Sequence, residues 1–227
     1  MEFLYDKNNE PLEISNFKYY NEGMCARVFK ENELMLKIYK SDCSHRYILS
    51  RKMFSILQEL DLPNVVKLYN YYYLEYKKYH ISPIKAYSME SVPGDNSILN
   101  KNKNYLLSAL YALENTCLIL AENKIEIQDS HTSNIIFNSQ GATLIDVDTY
   151  SLNKLKTVNK IFTHNKEEIL YALKRRIKRD ILAQDAEIDY YKILYLLNID
   201  VMRKSIVDEV DKRFKGETLL ENFKRKS

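Results

Sequence analysis

Three residues carry the most chemistry in this chain: Asp129, Asn134 and Asp146. Asp129-Ser-His-Thr-Ser-Asn134 runs into the apolar Ile135-Ile136-Phe137, and Asp146 lies within Leu144-Ile145-Asp146-Val147-Asp148. An acid and an amide five apart, then a strand, a turn, a second strand and another acid, suit phosphoryl transfer. That reaction needs a carboxylate to orient the attacking hydroxyl and oxygen ligands to hold magnesium against the phosphates. Magnesium takes one or two carboxylates and lets phosphates complete its octahedron. If the two apolar runs pair as a hairpin, Asp146 and Asn134 supply those oxygens, and Asp129 sits on the loop just before. Asp148 is a further carboxylate for a second metal or for a bond to that loop.

Two segments nearer the N-terminus suit the phosphate end of a nucleotide. In Asn21-Glu-Gly23-Met-Cys-Ala26-Arg-Val28, Gly23 lets backbone N–H groups approach an anion closely. In Leu34-Met35-Leu36-Lys37-Ile38, alternation puts a lysine inside a strand-like apolar run, where it needs a partner. Taken in order, these segments resemble the glycine-rich loop, the strand lysine, the catalytic loop and the metal-binding aspartate of protein kinases and their small-molecule relatives. Leu62-Pro63-Asn64-Val65-Val66 resembles the stretch after the kinase helix, and Tyr87 to Gly94 the hinge. His131, where protein kinases carry lysine, is similar to aminoglycoside and choline phosphotransferases.

The resemblance implies ATP and magnesium as cofactors. It makes Asp129 the catalytic base, Asn134 and Asp146 metal ligands, and Lys37 the partner of the α- and β-phosphates. Gly23, Val28, Met89, Glu90, Val92 and Ile136 would line the nucleotide, Met89 as gatekeeper and Glu90 and Val92 through their backbone. Departures are specific. The position of the helix glutamate that pairs with the strand lysine is Met53, with Glu59 a distant substitute. Met35 replaces the alanine against adenine, Gln128 the arginine before the catalytic acid, and Val147-Asp148 the Phe-Gly after the metal acid. No Ala-Pro-Glu follows, which argues against a long activation segment.

The elements that must position these residues read as strands over roughly the first ninety residues, with one helix from Tyr47 to Leu60. Then Leu106, Leu110, Leu113, Cys117 and Leu120 make one apolar helical stripe. A strand-and-loop insert spans Ile125 to Tyr150, and the remainder is helical, with Asn165 and Glu168 as a capping box. Asp189 resembles the acid of a buried helix that braces the catalytic loop. The expected class is α+β: a bilobed protein-kinase-like fold, with a β-rich lobe over 1–92 and a compact helical lobe over 93–227 as one domain.

Composition narrows the partners. With 45% apolar and 29% charged residues the chain can bury a core, and a net charge of +3 is too small to imply nucleic acid by itself. The charged start lacks an apolar leader, and the most apolar stretch, Tyr105 to Ala121, is interrupted by Glu114 and Asn115, so no membrane span is expected. Three cysteines without CxxC spacing point to neither a disulfide framework nor zinc, and so to a cytoplasmic location. Lys174-Arg175-Arg176-Ile177-Lys178-Arg179 offers a patch for an anionic partner, and Tyr71-Tyr72-Tyr73 a weaker case for RNA stacking. The expected function is ATP- and magnesium-dependent phosphoryl transfer to a hydroxyl of a protein or small molecule. The alternative is a kinase-like pseudoenzyme that binds nucleotide and acts as a regulator or scaffold.

Overall fold

The computed structural model describes residues 3–6, 8–74, 84–94, 103–129, 132–139 and 141–184. Strands β1 (Phe3–Tyr5), β2 (Pro11–Glu13), β3 (Lys18–Glu22), β4 (Ala26–Glu31), β5 (Leu34–Tyr39), β6 (Leu68–Leu74) and β7 (Ile84–Glu90) form one sheet in the order β2-β1-β6-β7-β5-β4-β3. Strands β3 to β7, with one helix between β5 and β6, fall within the strand-rich first ninety residues as expected. The β1–β2 hairpin extends them at the β6 edge and was not foreseen, because Phe3-Leu-Tyr is too short to show alternation.

The β4–β5 turn is two residues, Asn32 and Glu33, and Asn32 takes a positive φ of 51° that asparagine tolerates better than most side chains. Lys37 lies opposite Val28 on β4 and opposite Tyr87 on β7. Leu4, Phe17, Leu36, Tyr72 and Ala86 form one small core of this sheet. Tyr71 and Tyr72 are buried there and in the main core, which removes them as a base-stacking surface.

Helix α1 (Arg51–Leu60) starts four residues later than expected. Ser50 caps it by accepting the Met53 N–H at 3.1 Å, which fixes the boundary more firmly than the apolar spacing did. Met53, Phe54 and Leu57 are its buried face. Beyond α1 the backbone of Asn64 to Val66 bonds directly to β10 (Gly141–Leu144): Val66 N–H donates to the Leu144 carbonyl and Leu144 N–H to that of Asn64, both at 2.8 Å. The Asn64 side chain adds a third bond, to the Ala142 carbonyl at 2.8 Å. Leu62 to Val66 therefore locks the sheet side of the molecule to the β9 (Ile135–Asn138)–β10 hairpin, whose register pairs Leu144 with Ile135.

Helix α2 (Lys103–Glu122) carries the expected stripe, with Leu113, Cys117 and Leu120 fully buried. The short strands β8 (Ile125–Glu126) and β11 (Ser151–Leu152) pair with each other, and helix α3 (Val158–Gln184) packs against α2 through the Glu114–Lys166 ion pair. Asn165 does not open this helix. Thr157 does, its hydroxyl accepting the Lys160 N–H at 3.4 Å, and Asn165 is buried within the helix. Asp189 and the C-terminal basic residues lie outside the described residues. Among the described residues no helix is long and apolar enough to cross a membrane.

The cysteine reading is corrected. Cys25 and Cys43 form a disulfide with their Cα atoms 5.0 Å apart, while Cys117 is free and buried. Sequence spacing is blind to this pair because the β4–β5 hairpin brings its own two ends together: Lys40 N–H donates to the Cys25 carbonyl at 2.9 Å.

Candidate active site

A cavity of 360 Å³ collects residues from widely separated parts of the chain. Val28, Met35, Lys37 and Met89 come from the sheet, Gly23 from the β3–β4 turn, and Asp129, Asn134, Ile145, Asp146 and Asp148 from the segments around the β9–β10 hairpin. The four acidic or amide positions expected at the catalytic and metal sites therefore face one space with the strand lysine. Glu90, Val92 and Ile136 do not line it. Glu90 donates its N–H to the Lys67 carbonyl at 2.9 Å and its carboxylate accepts the Lys67 N–H at 3.0 Å. Val92 packs on the core, and the Ile136 side chain lies beside Gly94. Tyr20, Tyr47 and Thr149 also line the cavity, without a motif that singles them out, and Cys25 lines it as part of the Gly23 segment.

Lys37 is the electrostatic centre, its side chain only 12% exposed. Its Nζ lies 3.1 Å from Asp146 Oδ1 and 2.6 Å from Asp148 Oδ2. Burial by itself would lower the lysine pKa. The carboxylates of Asp148 and Asp146 outweigh that, so it stands above its ordinary value and the side chain stays cationic. Helix α1 supplies no acid to this lysine: Met53 is buried in the main core, and Glu59 is exposed.

Asp148 is the acid that sequence reasoning weighed least. Its Oδ1 accepts the Tyr39 hydroxyl at 2.7 Å and the Tyr87 hydroxyl at 2.8 Å. Burial raises both tyrosine pKa values well above 10, with Asp148 adding to the effect, so both hydroxyls remain donors. The signal was present in the alternation. Lys37 and Tyr39 are two apart on β5, and Tyr87 is directly opposite Lys37 on β7, so all three project from one face of the sheet.

The stretch leading to Asp129 is braced from α3. Asn165 accepts the Ile127 N–H and donates to the Ile125 carbonyl, both at 2.9 Å, and His164 Nε2 meets the Ile127 carbonyl at 2.9 Å. Glu126 is buried, with Lys156 Nζ 2.5 Å from its Oε1 and Asn153 donating to its Oε2 at 3.0 Å. Burial opposes ionisation of Glu126, but these bonds prevail and hold its pKa below the ordinary 4.5. Gln128, in place of the expected arginine, donates to Glu126 and to the Ser151 hydroxyl. Asp129 itself is exposed at the mouth of the cavity. Ser130 and His131 lie outside the described residues. So do the side chains of the basic patch on α3 apart from Arg175, which sits 5.7 Å from the Tyr171 ring.

No family model matches this sequence, and no curated protein matches it. Among solved structures, the Cydia pomonella granulovirus kinase PK-1 is similar, with a TM-score of 0.45 and 17% identity over 63% of this chain and 55% of that kinase.

Proposed function

We propose that the chain is an ATP- and magnesium-dependent phosphotransferase of protein-kinase-like fold, acting on a hydroxyl acceptor. The observation that carries this reading is the meeting of Lys37 with Asp146, 109 residues apart in sequence, in a cavity that also holds Asn134 and Asp129. A lysine, two acids and an amide in one recess match the needs of phosphoryl transfer, which relies on positioning and charge stabilisation.

The donor set fits magnesium. Asp146 is 37% exposed and, like Asn134, borders the cavity, so one carboxylate and one amide oxygen remain available beside a nucleotide's phosphates. When bound, the ion neutralises phosphate charge. Lys37 contributes a fixed cation at the phosphate end, and the apolar Val28, Met35, Met89 and Ile145 make room for a base. Asp129, at the mouth, orients the acceptor hydroxyl and takes its proton. The recess is near the small end of ligand pockets, which span about 300–1,000 Å³. The Gly23 loop borders it, with the Gly23 N–H donating to the Ala26 carbonyl at 2.9 Å.

The test is calorimetric titration of ATP with and without magnesium, beside transfer of labelled phosphate to candidate protein and small-alcohol acceptors. Magnesium-dependent binding that disappears in Asp146→Ala supports the reading. Absence of nucleotide binding in the wild type ends it. Binding without transfer to any acceptor returns the chain to the regulatory class.

A further inference from the structure

Asp146 and Asp148 contact the same ammonium but are held in opposite ways. The side chain of Asp148 is 7% exposed and that of Asp146 37% exposed. Asp148 has both oxygens engaged: Oδ1 by two tyrosine hydroxyls, Oδ2 by Lys37 at 2.6 Å. Asp146 uses one oxygen, Oδ1, for Lys37 at 3.1 Å and for the Asp148 N–H at 3.3 Å.

The tyrosines are themselves anchored. Tyr39 donates its one proton to Asp148 and accepts the Leu49 N–H at 2.9 Å, while the Leu49 carbonyl accepts the Tyr71 hydroxyl at 2.9 Å. A carboxylate with three donors, all of them carried by the adjacent strands β5 and β7, resists rearrangement. A half-exposed one with a single shared oxygen does not. Among the described residues, α1 places no acid on Lys37, since its buried face is Met53, Phe54 and Leu57.

We propose that Asp148 is the positioning residue that fixes Lys37 at the phosphate end of the cavity in every ligand state, and that Asp146 is the exchangeable partner, released when nucleotide binds. Lys37 is then held by Asp148 and by strands β5 and β7, while α1 gives it no acid and meets this network by packing, with Phe54 6.2 Å from Tyr87 between ring centroids and Leu49, just before the Ser50 cap, bonded to Tyr39. Asp148 acts through Lys37 and touches no phosphate. The functional half of this inference rests on the nucleotide reading above; the structural half does not.

Two measurements on the full chain test it. In the first, a fluorescent ATP analogue is titrated in EDTA and in magnesium. Asp148→Asn is expected to weaken binding at least tenfold in both, and to add under threefold when Lys37 is already methionine. Asp146→Asn is expected to remove only the gain that magnesium gives. Tyr39→Phe and Tyr87→Phe, which leave every charge in place, should each weaken binding severalfold in both conditions. Wild-type affinity in Asp148→Asn, or losses that multiply in Lys37→Met/Asp148→Asn, would overturn the proposal.

The second measurement is a thermal double-mutant cycle without nucleotide. The melting-temperature loss from Asp148→Asn should shrink by more than half in the Lys37→Met background, and that from Asp146→Asn should change little. If the wild type binds no nucleotide, the phosphotransferase reading fails and this cycle alone decides the placement of Asp148, with additive losses sinking it. Should Asp148→Asn not fold, the two tyrosine variants replace it in both experiments under the same criteria.

Discussion

Gly94 is packed against the backbone of Phe137 so closely that a Cβ at position 94 would overlap the Phe137 carbonyl oxygen and approach Ile136 Cγ2 to 2.9 Å. Gly94 also has a φ of +137°, a conformation closed to side-chain-bearing residues. The segment leaving β7 can therefore touch β9 only through glycine. Gly94→Ala should cost about 1–3 kcal/mol from the dihedral alone, with more from the displaced hairpin. Urea denaturation would measure it. A variant as stable as the wild type would show that this contact is not maintained in solution.

How much of this was legible in the sequence follows from the range of the interactions. Alternation and turn chemistry are local, and β5 spans Leu34–Tyr39 as read. The spacing from Asp129 to Asp146 likewise carried the hairpin and its flanking acids, since β9 and β10 are adjacent in sequence. Long-range partners were not legible. Asn165 looked like a helix cap because Asn followed three residues later by Glu is a local pattern, yet its amide serves β8 about forty residues earlier. Asp148 read as a carboxylate for a second metal or for a bond to the catalytic loop, and nothing within its own segment reveals its bonds to Tyr39 and Tyr87. The cystine escaped for the same reason: its cysteines are 18 apart and meet only once the β4–β5 hairpin forms.

That cystine gives a thiol count. Cys25 and Cys43 are bonded to each other, and burial lifts the Cys117 thiol pKa to about 12. The native protein should therefore present no fast-reacting thiol to an alkylating reagent at pH 8. A mild dithiol should release two, and the third should react only on unfolding. A loop of this size constrains the unfolded chain by about 3 kcal/mol, so reduction should lower the denaturation midpoint visibly. Two reactive thiols in the untreated native protein would show that the bond is not formed.

Glu126 sets an acid limit to stability. Its folded pKa lies below the ordinary 4.5, so the unfolded chain binds a proton more readily than the folded one in that range. Its stabilising contribution is complete above about pH 5 and is lost as pH falls through the folded pKa. Glu126→Gln should be roughly 1–3 kcal/mol less stable at neutral pH, as expected for charged hydrogen bonds, and the gap should close towards pH 3. Denaturation of both proteins across that range would show it, and a gap that does not change with pH would deny the ionised Glu126–Lys156 pair.

The two acids of the proposed reaction should separate in their effects. Asp146 borders the cavity beside Lys37 and is the magnesium ligand of the proposal, whereas Asp129 is exposed at the mouth and is its acceptor-side base. Asp146→Ala should abolish magnesium-dependent ATP binding and activity together. Asp129→Ala should leave nucleotide affinity within about twofold and lower turnover about 10²–10⁴-fold, the usual range for a positioned general base. Asp129→Asn tests the proton itself: it keeps the side chain's size and its oxygen but cannot take a proton, so it should be nearly as slow as alanine. If Asp129→Asn turned over like the wild type, Asp129 would only be orienting the acceptor. Equal loss of ATP binding in Asp129→Ala and Asp146→Ala would mean that both acids serve the nucleotide, and the acceptor would then have to approach from another side of the cavity.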